Sequence, residues 1–268
     1  MSTQAIPLKE IEEFITVVRR LRKECPWDRE QTHESIRDML IEEAYEVIET
    51  IDKADPAGLR NELGDILLHV AMHSVIAEEQ GTFDLKDVIR AITAKLIHRH
   101  PHVFGVREVR GAADVRSNWE MLKLDEGRQS VLEGVPPHLP ALQQAARLQE
   151  KASRVGFDWK NPEDVWEKVR EELDECRRAL ENGPKEKREE EFGDLLFSLV
   201  NYSRFLRINA EGALRVAIKK FVSRFTIVEE EIRKAGKDIR NATPEELDQL
   251  WNRSKARLAE NPDNQRAP

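Results

Sequence analysis

Two ten-residue stretches, NELGDILLHV at residues 61–70 and EEFGDLLFSL at 190–199, set the same acidic residues beside the same apolar ladder. In the first, Leu63, Ile66, Leu67 and Val70 recur at the three- and four-residue spacing of a helical stripe, with Glu62 and Asp65 bordering it. The second repeats the arrangement with Glu191 and Asp194 around Gly193. The correspondence reaches well beyond these windows. Glu42, Glu43, Glu46, Glu62 and Asp65 map onto Glu171, Glu172, Glu175, Glu191 and Asp194 at a constant offset of 129. Lys95 and Arg99 match Lys220 and Arg224 at an offset of 125, and Trp119 and Lys123 match Trp251 and Lys255 at 132. The chain is therefore a tandem duplication, and the period of its pattern makes each copy helical.

The rest of the composition agrees with an all-α fold of tandem helical bundles. Of the 268 residues 35% are charged, only 12 are Gly and 12 Pro, and no segment alternates in the β manner. The Pro-rich VPPHLP at 135–140 separates the copies, giving expected domains of 1–130 and 131–268. Each copy reads as a lead-in helix, a Glu-rich helix, a second carboxylate helix, a basic helix and a short Trp/Lys helix. The apolar residues of the opening stripe are expected to build the bundle core. Thr243, Pro244 and Glu246 give a capping-box start for the last helix. With 51 acidic against 43 basic residues the formal charge is −8, which argues against binding nucleic acid. Cys25 and Cys176 are too few for a disulfide framework, and no stretch is apolar enough for a membrane span. A cytoplasmic location, away from membranes, is the expectation.

In EEAYE (42–46) and EELDE (171–175) the three glutamates project from one side of a helix. The next helix brings a Glu/Asp pair three apart, flanking a glycine that costs about 1 kcal/mol relative to Ala in a helix interior. Such a glycine would let a neighbouring helix or a ligand come close. If the two helices pack antiparallel, four or five carboxylates converge, an arrangement that a hard cation would relieve. Oxygen ligands without His or Cys suit Mg²⁺, or Mn²⁺, better than Zn²⁺. Mg²⁺ commonly shares its coordination with phosphate oxygens, which draws attention to the Lys/Arg and Trp/Lys pairs four apart.

Together with CPWDREQTHESI before the first copy, HRHPHVFG after its basic helix and KASRVGFDW opening the second, this tandem E-E-x-x-E and E-x-x-D pattern resembles the two-domain MazG nucleoside triphosphate pyrophosphohydrolases. The resemblance covers nearly the whole chain. It implies an all-α homodimer that hydrolyses NTPs and dNTPs to monophosphate and pyrophosphate with Mg²⁺. Carried across, Glu172, Glu175, Glu191 and Asp194 are metal ligands, with Glu43, Glu46, Glu62 and Asp65 their weaker counterparts in the first copy. Lys168, Glu171, Lys187, Glu190, Lys220, Arg224, Trp251 and Lys255 are candidate nucleotide contacts. The first copy offers Glu42, Lys95, Arg99, Trp119 and Lys123. Glu171 or Glu172 is the candidate catalytic base for an attacking water. Met39, Gly58 and Asn61 stand where the second copy has Lys168, Lys187 and Glu190, so the second copy is expected to supply most of the turnover.

Other residues read more plainly. His69 and His73 are matched by Ser198 and Tyr202, so helix packing is their expected role, and His98, His100 and His102 mark a helix end. Trp27 and Trp159 are expected to plug the core, with base stacking the alternative. A redox di-metal bundle would need Glu-x-x-His pairs, and Asp stands there instead. A non-enzymatic helical adaptor, or an enzyme restricted to one nucleotide, are the remaining alternatives. A regulatory protein partner is compatible with the pattern.

Overall fold

A computed structural model describes residues 7–106, 108–109, 111, 114–115 and 130–260. The chain divides into two compact units, residues 1–108 and 109–268. Every regular element among the described residues is helical, as the periodicity predicts. No helix among them is long and apolar enough to cross a membrane.

The first unit comprises α1 (Leu8–Glu24), α2 (Pro26–Glu30), α3 (Arg37–Asp52), α4 (Pro56–Glu79), α5 (Leu85–Arg99) and α6 (Pro101–Phe104). Local chemistry sets the boundaries. Asp55 caps α4 by accepting from the backbone N–H groups of Ala57 and Gly58, with Pro56 in the first turn. Asp84 and Asp87 form a capping box at the start of α5, and Pro101 follows its end. The short link between α3 and α4 folds them into an αα-hairpin. Helix α1 crosses the later turns of α4, burying Val18 with Ala71, Met72, Val75 and Ile76, and with Ile36 from the turn before α3. Arg22 locks this end: its guanidinium donates to Gln31 O at 2.9 Å and to Asp28 O, and pairs with Glu79 at 2.8 Å.

The second unit repeats the plan with α7 (Ala141–Arg154), α8 (Pro162–Asn182), α9 (Lys185–Phe205), α10 (Ala210–Lys234), a 3-10 turn (Ile239–Asn241) and α11 (Pro244–Glu260). Helices α9 and α10 begin at the equivalents of the first residues of α4 and α5, at the offsets of 129 and 125 read from the sequence. Helix α10 continues to Lys234, whereas α5 stops at Arg99, two residues before Pro101. Asn161 caps α8 by accepting from Asp164 N–H. Helix α7 packs on α9, and its Gln149 side chain donates to Phe197 O at 2.8 Å.

Two expectations need correction. The stripe of the first carboxylate helix does not form the core: Leu63, Leu67 and Val70 remain 52%, 51% and 40% exposed, and their equivalents Phe192, Leu196 and Leu199 remain 53%, 41% and 41% exposed. The first unit's core instead sits further along α4, where α1 covers it. A Cβ added at Gly64 or Gly193 would have no atom of the described residues within 4 Å, so neither glycine makes room for a described helix. Trp27 and Trp159 are also half-exposed and do not plug the core: Trp27 lies in the short α2, none of whose residues is buried, and Trp159 precedes the Asn161 cap of α8.

The capping box predicted for α11 is present. Thr243 N–H donates to Glu246 Oε2 and Glu246 N–H donates to Thr243 Oγ1, both at 3.2 Å. Lys237 bonds the same glutamate at 2.6 Å and, with the Thr243 N–H, holds its carboxyl below the usual carboxylate range. A carboxyl lowered in the folded state lends stability above its unfolded pKa and loses it as pH falls through the lowered value. The start of α11 is therefore expected to fray as pH drops below about 4.5. Amide exchange should show that fraying in the native chain, and Glu246→Gln should remove the pH dependence. Thr243→Ala should destabilise the helix by about 1 kcal/mol at neutral pH.

Candidate metal and nucleotide site

In the second unit α8 and α9 form a hairpin around Gly183 and Pro184, which brings the Glu-rich face of one helix against the start of the other. Glu172, Glu175 and Glu191 each present a carboxylate oxygen, and these oxygens lie within 4.8 Å of one another. Glu172 and Glu191 are only 7% exposed. Bare carboxylates at that burial would be costly, and each helix supplies a lysine against the cost. Lys168 Nζ lies 2.9 Å from Glu171 and 2.8 Å from Glu172, while Lys187 Nζ lies 3.2 Å from Glu190 and 2.6 Å from Glu191. These hydrogen bonds raise both lysines, with Glu172 the largest cause for Lys168 and Glu191 for Lys187. Both helices thus carry K-x-x-E-E, at 168–172 and 187–191. That signal was legible in the sequence as a repeat between the two helices of one copy. Asp194 is exposed and stands outside the close group of three.

The first unit builds the same hairpin without the lysines. Glu43, Glu46 and Glu62 gather oxygens within 4.8 Å of one another. Burial, followed by the charges of Asp65, Glu46, Glu62 and Glu42, pushes the Glu43 carboxyl up; burial and then Glu46 push up Glu62. Asp65 thus adds its charge to the cluster while standing outside the close group of three. A Cβ at Gly58 would stand 2.5 Å from Asp55 Oδ2 and 2.8 Å from Thr50 Cγ2, so a lysine there would require the Asp55 and Thr50 side chains to shift. Both donor sets consist of hard oxygens with no His or Cys, which fits Mg²⁺ or Mn²⁺.

A second gathering forms between α10 and α11. The Arg224 guanidinium lies 5.8 Å from the Trp251 ring centre and Lys255 Nζ lies 6.0 Å from it, with Phe221 at 5.3 Å. Arg224 Nε is buried without a hydrogen-bond partner. Lys220 is exposed on α10. In the first unit Lys95 is exposed and Arg99 is buried at the end of α5. Trp119 and Lys123 lie outside the described residues. Trp159 shares an open depression of about 420 Å³ with Lys168, Glu171, Asp164 and Glu167, which places an aromatic face beside the lysine of the carboxylate cluster.

The family model described as the MazG nucleotide pyrophosphohydrolase domain matches the chain twice, at residues 31–104 and 160–228. The chain belongs to the MazG family. Each matched segment contains one carboxylate hairpin and the basic helix after it, so both MazG domains keep the acidic cluster and differ in the lysines. This makes the chain a hydrolase of the nucleotide pyrophosphohydrolase family. A Thermotoga maritima protein named nucleoside triphosphate pyrophosphohydrolase/pyrophosphatase MazG is 48% identical over 91% of this chain and 95% of its own length. The nucleoside triphosphate pyrophosphohydrolase of Escherichia coli K12 is 39% identical over 92% of this chain and 98% of its own. The Bacillus subtilis protein YabN is 44% identical over 92% of this chain, which corresponds to 52% of YabN.

Opposite charge balances in the two MazG domains give opposite expectations for single changes. Replacing Lys168 by Met leaves Glu172 buried without its cation and should lower the stability of the metal-free second unit. The loss should be on the order of 1 kcal/mol, below the 3–5 kcal/mol of a fully buried pair, because the lysine is partly solvated. Glu43 is raised in the folded state, so its ionised form works against folding above that value. Glu43→Gln should accordingly raise the melting temperature of the metal-free chain at pH 7. Calorimetry in the presence of a chelator reads both.

Proposed function

We propose that this MazG-family chain hydrolyses nucleoside triphosphates, NTPs and dNTPs alike, to the monophosphate and pyrophosphate, with Mg²⁺ as cofactor and the second unit as the main site. The observation that carries this reading is the group of Glu172, Glu175 and Glu191 held at the mouth of a hairpin between Lys168 and Lys187. Those three carboxylates would hold the metal, with Asp194 one turn further along α9. When bound, Mg²⁺ would neutralise charge on the phosphate oxygens and lower the pKa of a water.

The chain's own residues then divide the remaining work. Glu171 is more solvated than Glu172 and points to the same lysine, which suits it to orient and deprotonate the attacking water while Glu172 stays in the cluster. Attack at the α-phosphorus breaks its bond to the bridging oxygen, and pyrophosphate leaves. Lys168 and Lys187, now paired with carboxylates, can exchange those partners for phosphate oxygens once a cation enters the cluster. Arg224, with its unpartnered Nε, suits a phosphate, and the half-exposed Trp159 suits the base.

Homodimerisation belongs to the same reading. In each unit the apolar residues left open at equivalent positions of α4 and α9 offer a face of the kind a second copy covers. A cytoplasmic role in clearing unwanted nucleotides fits the acidic, lysine-neutralised site. The first unit, without those lysines, serves as a weaker site, as a dimerisation element or as a surface for a regulatory partner.

The chemistry is tested by incubating the purified chain with NTPs and dNTPs in ¹⁸O-labelled water, with and without Mg²⁺. Pyrophosphate release that needs the metal, with label in the monophosphate, is expected. Orthophosphate as first product, or label in pyrophosphate, would overturn attack at the α-phosphorus. The dimer is tested by light scattering: the native chain should have twice the chain mass, and Leu196→Glu should shift it toward the monomer.

A further inference from the structure

The first unit holds three histidines that the carboxylate chemistry does not use. His33, from the turn between α2 and α3, meets His73 of α4 with Nδ1 atoms 2.8 Å apart and rings 5° from parallel. One turn earlier on α4, His69 is 9% exposed, its ring centre is 6.2 Å from that of His73, and its Nδ1 is buried without a partner. His69 and His73 were expected to serve helix packing, and His33, although it lies in the CPWDREQTHESI stretch, was given no role, since the turn that delivers it to α4 is a tertiary feature.

The duplication provides an internal comparison. Ser198 and Tyr202 occupy the equivalent positions in α9, where Ser198 Oγ donates to Leu195 O at 2.9 Å and the Tyr202 ring meets Trp166 at 5.0 Å; Pro162 stands in for His33. The other copy thus builds the same helices without imidazoles at these three positions. The first unit has no lysines at its carboxylate cluster and has histidines where the second unit has Pro162, Ser198 and Tyr202.

We propose that His33 and His73 chelate a divalent transition-metal ion of borderline softness, such as Zn²⁺, Co²⁺ or Ni²⁺, at a site separate from the carboxylate cluster, with His69 as the neighbouring third donor. Metal–nitrogen bonds of about 2.0–2.1 Å place two adjacent ligand nitrogens about 3 Å apart or slightly more, so the two Nδ1 atoms stand close to chelating separation, and each ring has to turn until its lone pair, now aimed along the Nδ1···Nδ1 line, converges on the ion. The imidazole that now donates through Nδ1–H shifts to its Nε2–H tautomer, which leaves both Nδ1 lone pairs on the metal and releases no net proton. Burial, then His33 and His69, holds His73 below its ordinary range, so it is neutral at pH 7 as a ligand must be. The third ring has to rotate to contribute a nitrogen, and water completes the coordination. Such an ion would pin the 31–36 turn to α4.

The test uses the full, metal-stripped chain in excess Mg²⁺, which occupies hard oxygen sites, titrated with Co²⁺. One Co²⁺ per chain with a visible d–d band is expected, and Zn²⁺ should displace it. His73→Asn and, separately, His33→Asn should each weaken binding at least tenfold, whereas Glu46→Gln should not. Thermal unfolding without metal identifies any variant that fails to fold, and His33, in a turn, is the less disruptive change. Absence of a band in excess Mg²⁺, or unchanged Co²⁺ affinity in a folded His33→Asn chain, would overturn the site. Neither result bears on pyrophosphate release, so failure here is distinguishable from failure of the proposed activity.

Discussion

Mutual repulsion among carboxylates trapped between two helices is the constraint around which each unit is organised. Three glutamate oxygens within 4.8 Å of one another, two of the residues only 7% exposed in the second unit, need positive charge. The second unit provides it from its own chain, with a lysine one turn before the glutamates on each helix. In the first unit the equivalents are Met39 and Gly58, and Glu43 and Glu62 respond by holding their protons more tightly. One fold therefore carries two electrostatic designs. The second unit balances its carboxylates with lysines of its own chain, and the first balances them by retained protons.

The apolar surface follows a similar logic. Positions 63, 67 and 70 and their partners 192, 196 and 199 are exposed in both units, beside glycines with open space in front of them. A helix that turns one side toward the carboxylate cluster and another toward its hairpin partner retains a third side that no described residue of its unit covers. Repetition of that open side in both copies ties it to the carboxylate hairpin itself, since the lead-in helices α1 and α7 cover only the later turns.

Much of this was legible in the sequence because it is periodic. The helical class, the duplication, the carboxylate hairpins and the Thr243 cap all arise from spacing along one chain. The half-buried lysine pairs were also present as K-x-x-E-E, although only comparison between the two helices of one copy isolates them. What was not legible depends on which helix covers which face. Leu63 and Leu67 have the period of core residues, and periodicity does not say whether a partner helix reaches that turn. Trp27 and Trp159 are large and apolar enough for the core, yet size does not say whether the short α2 or the loop before α8 is covered. His33 meets His73 through a turn whose path no local pattern encodes.

The central claim is that the lysine-flanked cluster of the second unit carries the hydrolysis. Its most direct measurement is pyrophosphate release by two single variants of the full chain, Glu175→Ala and Glu46→Ala, assayed side by side at saturating Mg²⁺ and matched folding. The account predicts a loss of about 100-fold or more for Glu175→Ala and only a few-fold change for Glu46→Ala. Equal losses, or a larger loss from Glu46→Ala, would contradict it.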